Sequence, residues 1–151
     1  WHFIGPLQSN KTREVAEHFD WVHSVDRARV ARRLSEQRPE GMEPLNVCIQ
    51  VNIDREPDKS GADPDAAREL ADLVQELPGL RLRGLMAIPR ADAADRNRAA
   101  FQELAMTLSH WRPTMPELDT LSMGMSGDFD VAIAEGATIV RLGTALFGAR
   151  E

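Results

Sequence analysis

Tyrosine is missing from this sequence, cysteine appears once, and only two of the eighteen basic residues are lysine. The first absence means that no phenol can act as an acid or base. The lone Cys48 rules out an internal disulfide, and with Val47 and Ile49 beside it, it reads as a plain buried thiol. The shortage of lysine leaves Lys11 and Lys59 as the only side-chain amines. No apolar run approaches the roughly 18 residues of a membrane-spanning helix. The opening WHFIGPLQSNK also lacks the basic and apolar blocks of a secretion signal, so a cytoplasmic location is expected. Positive charge is in deficit as well. A formal net charge of −6 and a pI near 5.2 argue against nucleic acid as the main partner, which needs a positive field. The one basic cluster, Arg27, Arg29, Arg32 and Arg33 with Val30 and Leu34 between them, reads as the solvated flank of an amphipathic helix.

What remains is ordinary for a globular chain: 42% apolar and 28% charged residues over 151 positions, with no linker or repeat, hence one domain spanning 1–151. Short apolar runs alternate with amphipathic stretches. Strands are expected at 1–4, 21–25, 46–53, 82–88, 120–123 and 138–142, and helices near 11–18, 27–37, 64–77, 96–110 and 128–135. Asp63 and Pro64 open the third helix and Pro78-Gly79 follows it. Strand–helix alternation implies parallel strands with right-handed crossovers. An open doubly wound sheet fits the length, since a complete (β/α)8 barrel typically takes ~250 residues. The polar residues point the other way. His2, Gln50, Asn52, Ser122 and Arg141 are spread over several strands, mostly toward their carboxyl ends, as in a barrel site, and the GxGxxG fingerprint is absent.

Arg141 interrupts the run TIVRL, where a buried charge requires a partner. Two turns rich in glycine and serine, SMGMSGD (122–128) and GTALFG (143–148), follow the last two strands. In a barrel such loops form the recurrent phosphate site, with Ser126 and Thr144 offering hydroxyls and Gly124 and Gly143 a close backbone approach. Ser126 followed by Asp128 reads equally as a helix cap. Both turns beside Arg141 favour a phosphorylated ligand.

WHFIGPLQSNK (1–11), DKSG (58–61), LRGLMAIP (82–89), LSMGMSGDFDVAIAEGAT (121–138) and VRLGTALFGAR (140–150) together resemble the YggS/PROSC family of pyridoxal phosphate homeostasis proteins. The resemblance runs along the whole chain, as the carboxyl-terminal two thirds of such a protein. It implies the TIM barrel of the alanine racemase N-terminal kind, the fold-type III of pyridoxal phosphate (PLP) proteins, with about six βα units present. It also implies PLP as cofactor, a role as cofactor carrier or regulator without established catalysis, and PLP-dependent apoenzymes as partners.

By the same resemblance Ser126, Gly143 and Thr144 are phosphate contacts and Arg141 faces the pyridine nitrogen, with Gly124 and Met123 beside them. His2 lies near the ring or is a hydrogen-bonded core histidine, and Met86 and Met123 are pocket walls or plain packing. The Schiff-base lysine of the family is expected upstream of Trp1, so no catalytic residue is assigned. Lys11 and Lys59 read as solvated, Lys59 matching a family lysine of accessory role. The rival reading is a racemase-like PLP enzyme, whose tyrosine base this sequence cannot supply. A more distant one is an open-sheet protein for another phosphorylated metabolite.

Overall fold

The computed structural model describes residues 1–57, 59–89 and 94–148, so Asp58 of DKSG and Ala149 and Arg150 of VRLGTALFGAR lie outside the described residues. Along the chain run β1 (His2–Phe3), α1 (Thr12–His18), β2 (Trp21–Val25), α2 (Ala28–Gln37), β3 (Leu45–Gln50) and α3 (Pro64–Gln75). They are followed by β4 (Leu80–Met86), α4 (Ala94–Trp111), β5 (Thr120–Met125), α5 (Phe129–Ala134), β6 (Ile139–Arg141) and α6 (Thr144–Phe147). Each strand pairs in parallel with the next, in the order β1-β2-β3-β4-β5-β6. A doubly wound sheet must reverse its strand order at a switch point, and this one never does. The architecture is an incomplete TIM barrel, curled as a half-barrel.

Local chemistry accounts for the elements. In α2, Val30, Ala31 and Leu34 are buried at helical spacing while Arg29 and Arg32 stay in water, as the solvated-flank reading expects. In α3 the Asp63 carboxylate accepts the Asp65 N–H at 2.9 Å, Pro64 occupies the first turn, and Ala67, Leu70, Ala71 and Val74 form the buried stripe. Burying each of the larger side chains contributes about 1.5–3 kcal/mol.

The strands sort their side chains by period two. Val22, Val47, Ile49, Leu85, Ala87, Leu121 and Met123 belong to the hydrophobic cluster that packs with the helices. His23, Cys48, Met86 and Ser122, the alternate positions, are also buried but lie outside that cluster. They face the inside of the curl. Two glycines are required by close packing. A Cβ on Gly84 would stand 1.8 Å from the Thr120 carbonyl oxygen on β5, and one on Gly124, whose φ is +93°, would stand 2.5 Å from Ala132 Cβ.

The structure departs from the sequence reading at its margins. β1 is only two residues long, β4 begins earlier at Leu80, and β5 continues to Met125. The stretch expected as a turn after β6 closes into the four-residue α6, with Gly143 and Gly148 at its ends. So short a helix, bracketed by glycine, leaves no periodic signal.

Candidate functional site

Arg141 ends β6, where its Cα pairs with Met125 of β5, and its side chain is half-buried. Its guanidinium donates from Nη1 to Ser122 Oγ and from Nη2 to the Ala87 carbonyl oxygen, both at 2.8 Å. Both acceptors are neutral. Burial lowers the Arg141 pKa, and the nearby Asp128 carboxylate opposes that shift. The side chain remains a cation throughout the working pH range.

The same serine hydroxyl lies 2.7 Å from His23 Nδ1, and His23 Nε2 lies 2.8 Å from His2 Nδ1. His2, His23, Ser122 and Arg141 come from β1, β2, β5 and β6. In a flat sheet β2 and β5 would stand ~14 Å apart, at ~4.8 Å per strand. Only a strong curl brings their side chains to 2.7 Å, so this bond reports the barrel geometry directly. His23 is fully buried, and its pKa is pushed down to about 4, first by burial and then by the positive neighbours His2 and Arg141. His23 is therefore neutral. Cys48, on the same inner face, is pushed up to about 12, chiefly by burial, which makes it an inert thiol.

A second layer lies toward the amino ends of the strands. His2 stacks on Trp21, with centroids 5.2 Å apart and planes 5° from parallel. Arg83 covers the Trp21 ring at 4.9 Å, while donating to Asp119 at 3.1 Å and to Asn46 at 3.0 Å.

At the carboxyl ends of the strands, Asp128 stands at the amino end of α5, yet its carboxylate does not cap that helix. It reaches backward to accept the Met125 N–H at 2.7 Å, and Asn97 Nδ2 donates to its other oxygen at 2.8 Å. The loop after β5 is thus closed on itself and tied to α4. Ser126 Oγ accepts the Ala145 N–H at 3.1 Å, which joins this loop to the turn after β6.

The structure therefore brings Arg141, Ser126, Gly143 and Thr144 to neighbouring strand ends, and links His2 to Arg141 through His23 and Ser122. Met123 takes a different place, in the hydrophobic cluster with Leu121 rather than on the inner face. Gly124 is explained by its φ and by Ala132. Gln50 and Asn52 build the loop after β3 through bonds to the Ser60 and Glu56 carbonyls. Lys59 pairs with Asp54 at 3.4 Å and Glu56 at 3.5 Å, and Lys11 with Glu14 at 3.6 Å. Neither lysine joins the Arg141 network. Sequence reasoning missed His23 and Asn97. His23 could have been found, because it alternates with Val22 and so shares a face with Trp21, whereas nothing in the pattern of α4 marks Asn97. A cleft of about 740 Å3 along α4, beside Met106 and His110, includes none of these residues. Among the described residues no cluster of His, Cys, Asp and Glu could hold a metal, and no helix is long and apolar enough to cross a membrane.

A parallel βα half-barrel with a cationic side chain at its last strand end and hydroxyl-bearing turns beside it defines the class. The alanine racemase N-terminal domain model matches residues 1–151, and the chain belongs to that family. It is 60% identical over its whole length to a pyridoxal phosphate homeostasis protein of Pseudomonas aeruginosa and 55% identical to the protein of that name from Escherichia coli. It spans 65% of the length of each. Among solved structures, PipY of Synechococcus elongatus with PLP bound superposes with a TM-score of 0.88 at 40% identity, over 98% of this chain and 70% of PipY. A D-threonine aldolase from Filomicrobium marinum, 22% identical over 93% of this chain and 41% of its own, shares the fold with a TM-score of 0.76.

Proposed function

We propose that this protein binds pyridoxal 5′-phosphate and acts in the cytoplasm as a carrier or regulator of that cofactor for PLP-dependent apoenzymes. The observation that carries the proposal is Arg141, a half-buried guanidinium held by a hydroxyl and a carbonyl at the mouth of the half-barrel, with donors still to spare. The neighbouring turns fit a phosphate. Gly143 has a φ of −110°, and among the described residues no atom beyond its chain neighbours lies within 4 Å of where its Cβ would stand, so neither backbone nor packing there requires a glycine. The Ser126 and Thr144 hydroxyls and the backbone N–H groups around Gly143 suit a dianion. In this reading Ser126, Gly143 and Thr144 hold the phosphate, Gly124 shapes the loop, and Met123 backs it from the core. When bound, PLP supplies an aldehyde carbon and an electron-withdrawing ring. Arg141 donates to the pyridine nitrogen and leaves it unprotonated, which restrains that ring compared with a carboxylate partner. Similarity to proteins named for PLP homeostasis, and to PipY with PLP bound, supports the assignment.

The test is a titration of the full-length protein with PLP, followed by visible absorbance. A bound-cofactor band that shifts in Arg141→Glu supports the reading, and a wild-type protein that gives no band refutes it. Exchange of the alanine α-proton at enzyme-like rates would replace the carrier with a racemase-like enzyme.

A further inference from the structure

The network around Arg141 has a direction. A guanidinium can only donate, and Arg141 Nη1 occupies one lone pair of Ser122 Oγ. The serine has a single hydrogen. The arrangement that satisfies every atom sends that hydrogen to His23 Nδ1, 2.7 Å away. His23 must then carry its own hydrogen on Nε2 and donate it to His2 Nδ1 at 2.8 Å, which leaves His2 with an Nε2–H at the exposed end of the chain. If His23 held its hydrogen on Nδ1 instead, Ser122 Oγ would accept twice and its own hydrogen would have to leave the chain. Both His23 and Ser122 are fully buried, which makes that alternative expensive.

We infer that Ser122 and His23 are positioning residues for Arg141: the serine hydroxyl, oriented by the His23 Nε2–H tautomer, fixes the plane of the guanidinium and so its aim toward a ligand at the strand ends. Two anchors define that plane, Ser122 Oγ on β5 and the Ala87 carbonyl just past β4. Removing the hydroxyl frees Nη1 and at the same time takes away the donor to His23 Nδ1. The neutral state of His23 belongs to the same arrangement, since burial first, and then His2 and Arg141, disfavour an imidazolium there.

The inference rests on the PLP reading for only one of its two readouts. The first is the imidazole nitrogen NMR spectrum of the cofactor-free full-length protein, with the His23 signals assigned through His23→Gln. The wild type should show the neutral Nε2–H tautomer. Ser122→Ala should show a mixture of tautomers, and Ser122→Thr, which keeps the hydroxyl, should restore the single one. The second readout is PLP affinity. Ser122→Ala should weaken it about tenfold, the size expected for losing one charge-assisted hydrogen bond, with a shifted cofactor spectrum, and Ser122→Thr should recover both. A His23 Nδ1–H tautomer in the wild type overturns the inference. So does a Ser122→Ala protein whose His23 tautomer and cofactor spectrum match the wild type. A wild type that binds no PLP refutes the proposed function, and the NMR result then decides the hydrogen-bond direction alone.

Discussion

Acidification should destabilise this protein through His23 before its carboxylates are protonated. The pKa of His23 falls from the ordinary 6.5 to about 4 in the fold. A lowered histidine pKa means that the folded state binds fewer protons than the unfolded chain. The stabilising contribution is therefore complete above the unfolded value and is lost as pH falls toward the folded one. Between about pH 7.5 and about pH 5 the unfolded imidazole becomes almost fully charged while the folded one does not, which at ~1.4 kcal/mol per pH unit amounts to about 2 kcal/mol. That figure is a ceiling, because His2, the ring hydrogen-bonded to His23, is exposed and admits solvent screening. The assay is urea unfolding of wild type and His23→Gln at both pH values. Absolute stability can differ between the two proteins without consequence. What matters is the pH-dependent difference, which should shrink by about 1–2 kcal/mol in the variant. Equal pH dependence in both would refute the claim that His23 is buried neutral.

Gly84→Ala should disrupt the β4–β5 pairing, because the new Cβ meets the Thr120 carbonyl at 1.8 Å; a loss of about 3 kcal/mol or more is expected, read as a lowered urea midpoint or insoluble protein. Asn97→Ala leaves one Asp128 oxygen without its buried amide partner and should cost about 1–3 kcal/mol in the same assay. Cys48, with its thiol pushed up to about 12, should resist thiol reagents near pH 8 in the native protein and react only at the rate of unfolding.

The alternation of strands and helices was legible because the strands are short apolar runs, richest in Val, Ile and Leu in β3 and β4, and each longer helix carries an apolar stripe. Barrel and open sheet could not be separated by that pattern alone, since both are βα repeats. The scatter of polar residues over many strands favoured the barrel, and the unreversed strand order agrees with it. Arg141 was conspicuous as a charge in an apolar strand. Its protein partners were not, because one is a backbone carbonyl 54 residues earlier and the other a serine whose relevance depends on curl. His23 was hidden for the same reason: period two places it on a face, but only the closing of the sheet tells it that β5 is within reach. Met123 was open between pocket wall and plain packing, and the period-two count from Ser122 puts it among the helix-facing residues, in line with packing.

The unreversed strand order also bears on how the chain assembles. Every pairing joins neighbours in sequence, so the sheet can grow one βα unit at a time without closing a long loop. The longest register is central, six paired positions from Leu45 with Leu80 to Gln50 with Met86, while β1 and β6 each contribute only two. Growth from the centre outward would make Arg141 one of the last side chains to find its partners, since Ala87 and Ser122 must already be in place. The β6 end would then be the latest to order, and native-state hydrogen exchange should show the amides of β6 opening well before those of β3 and β4.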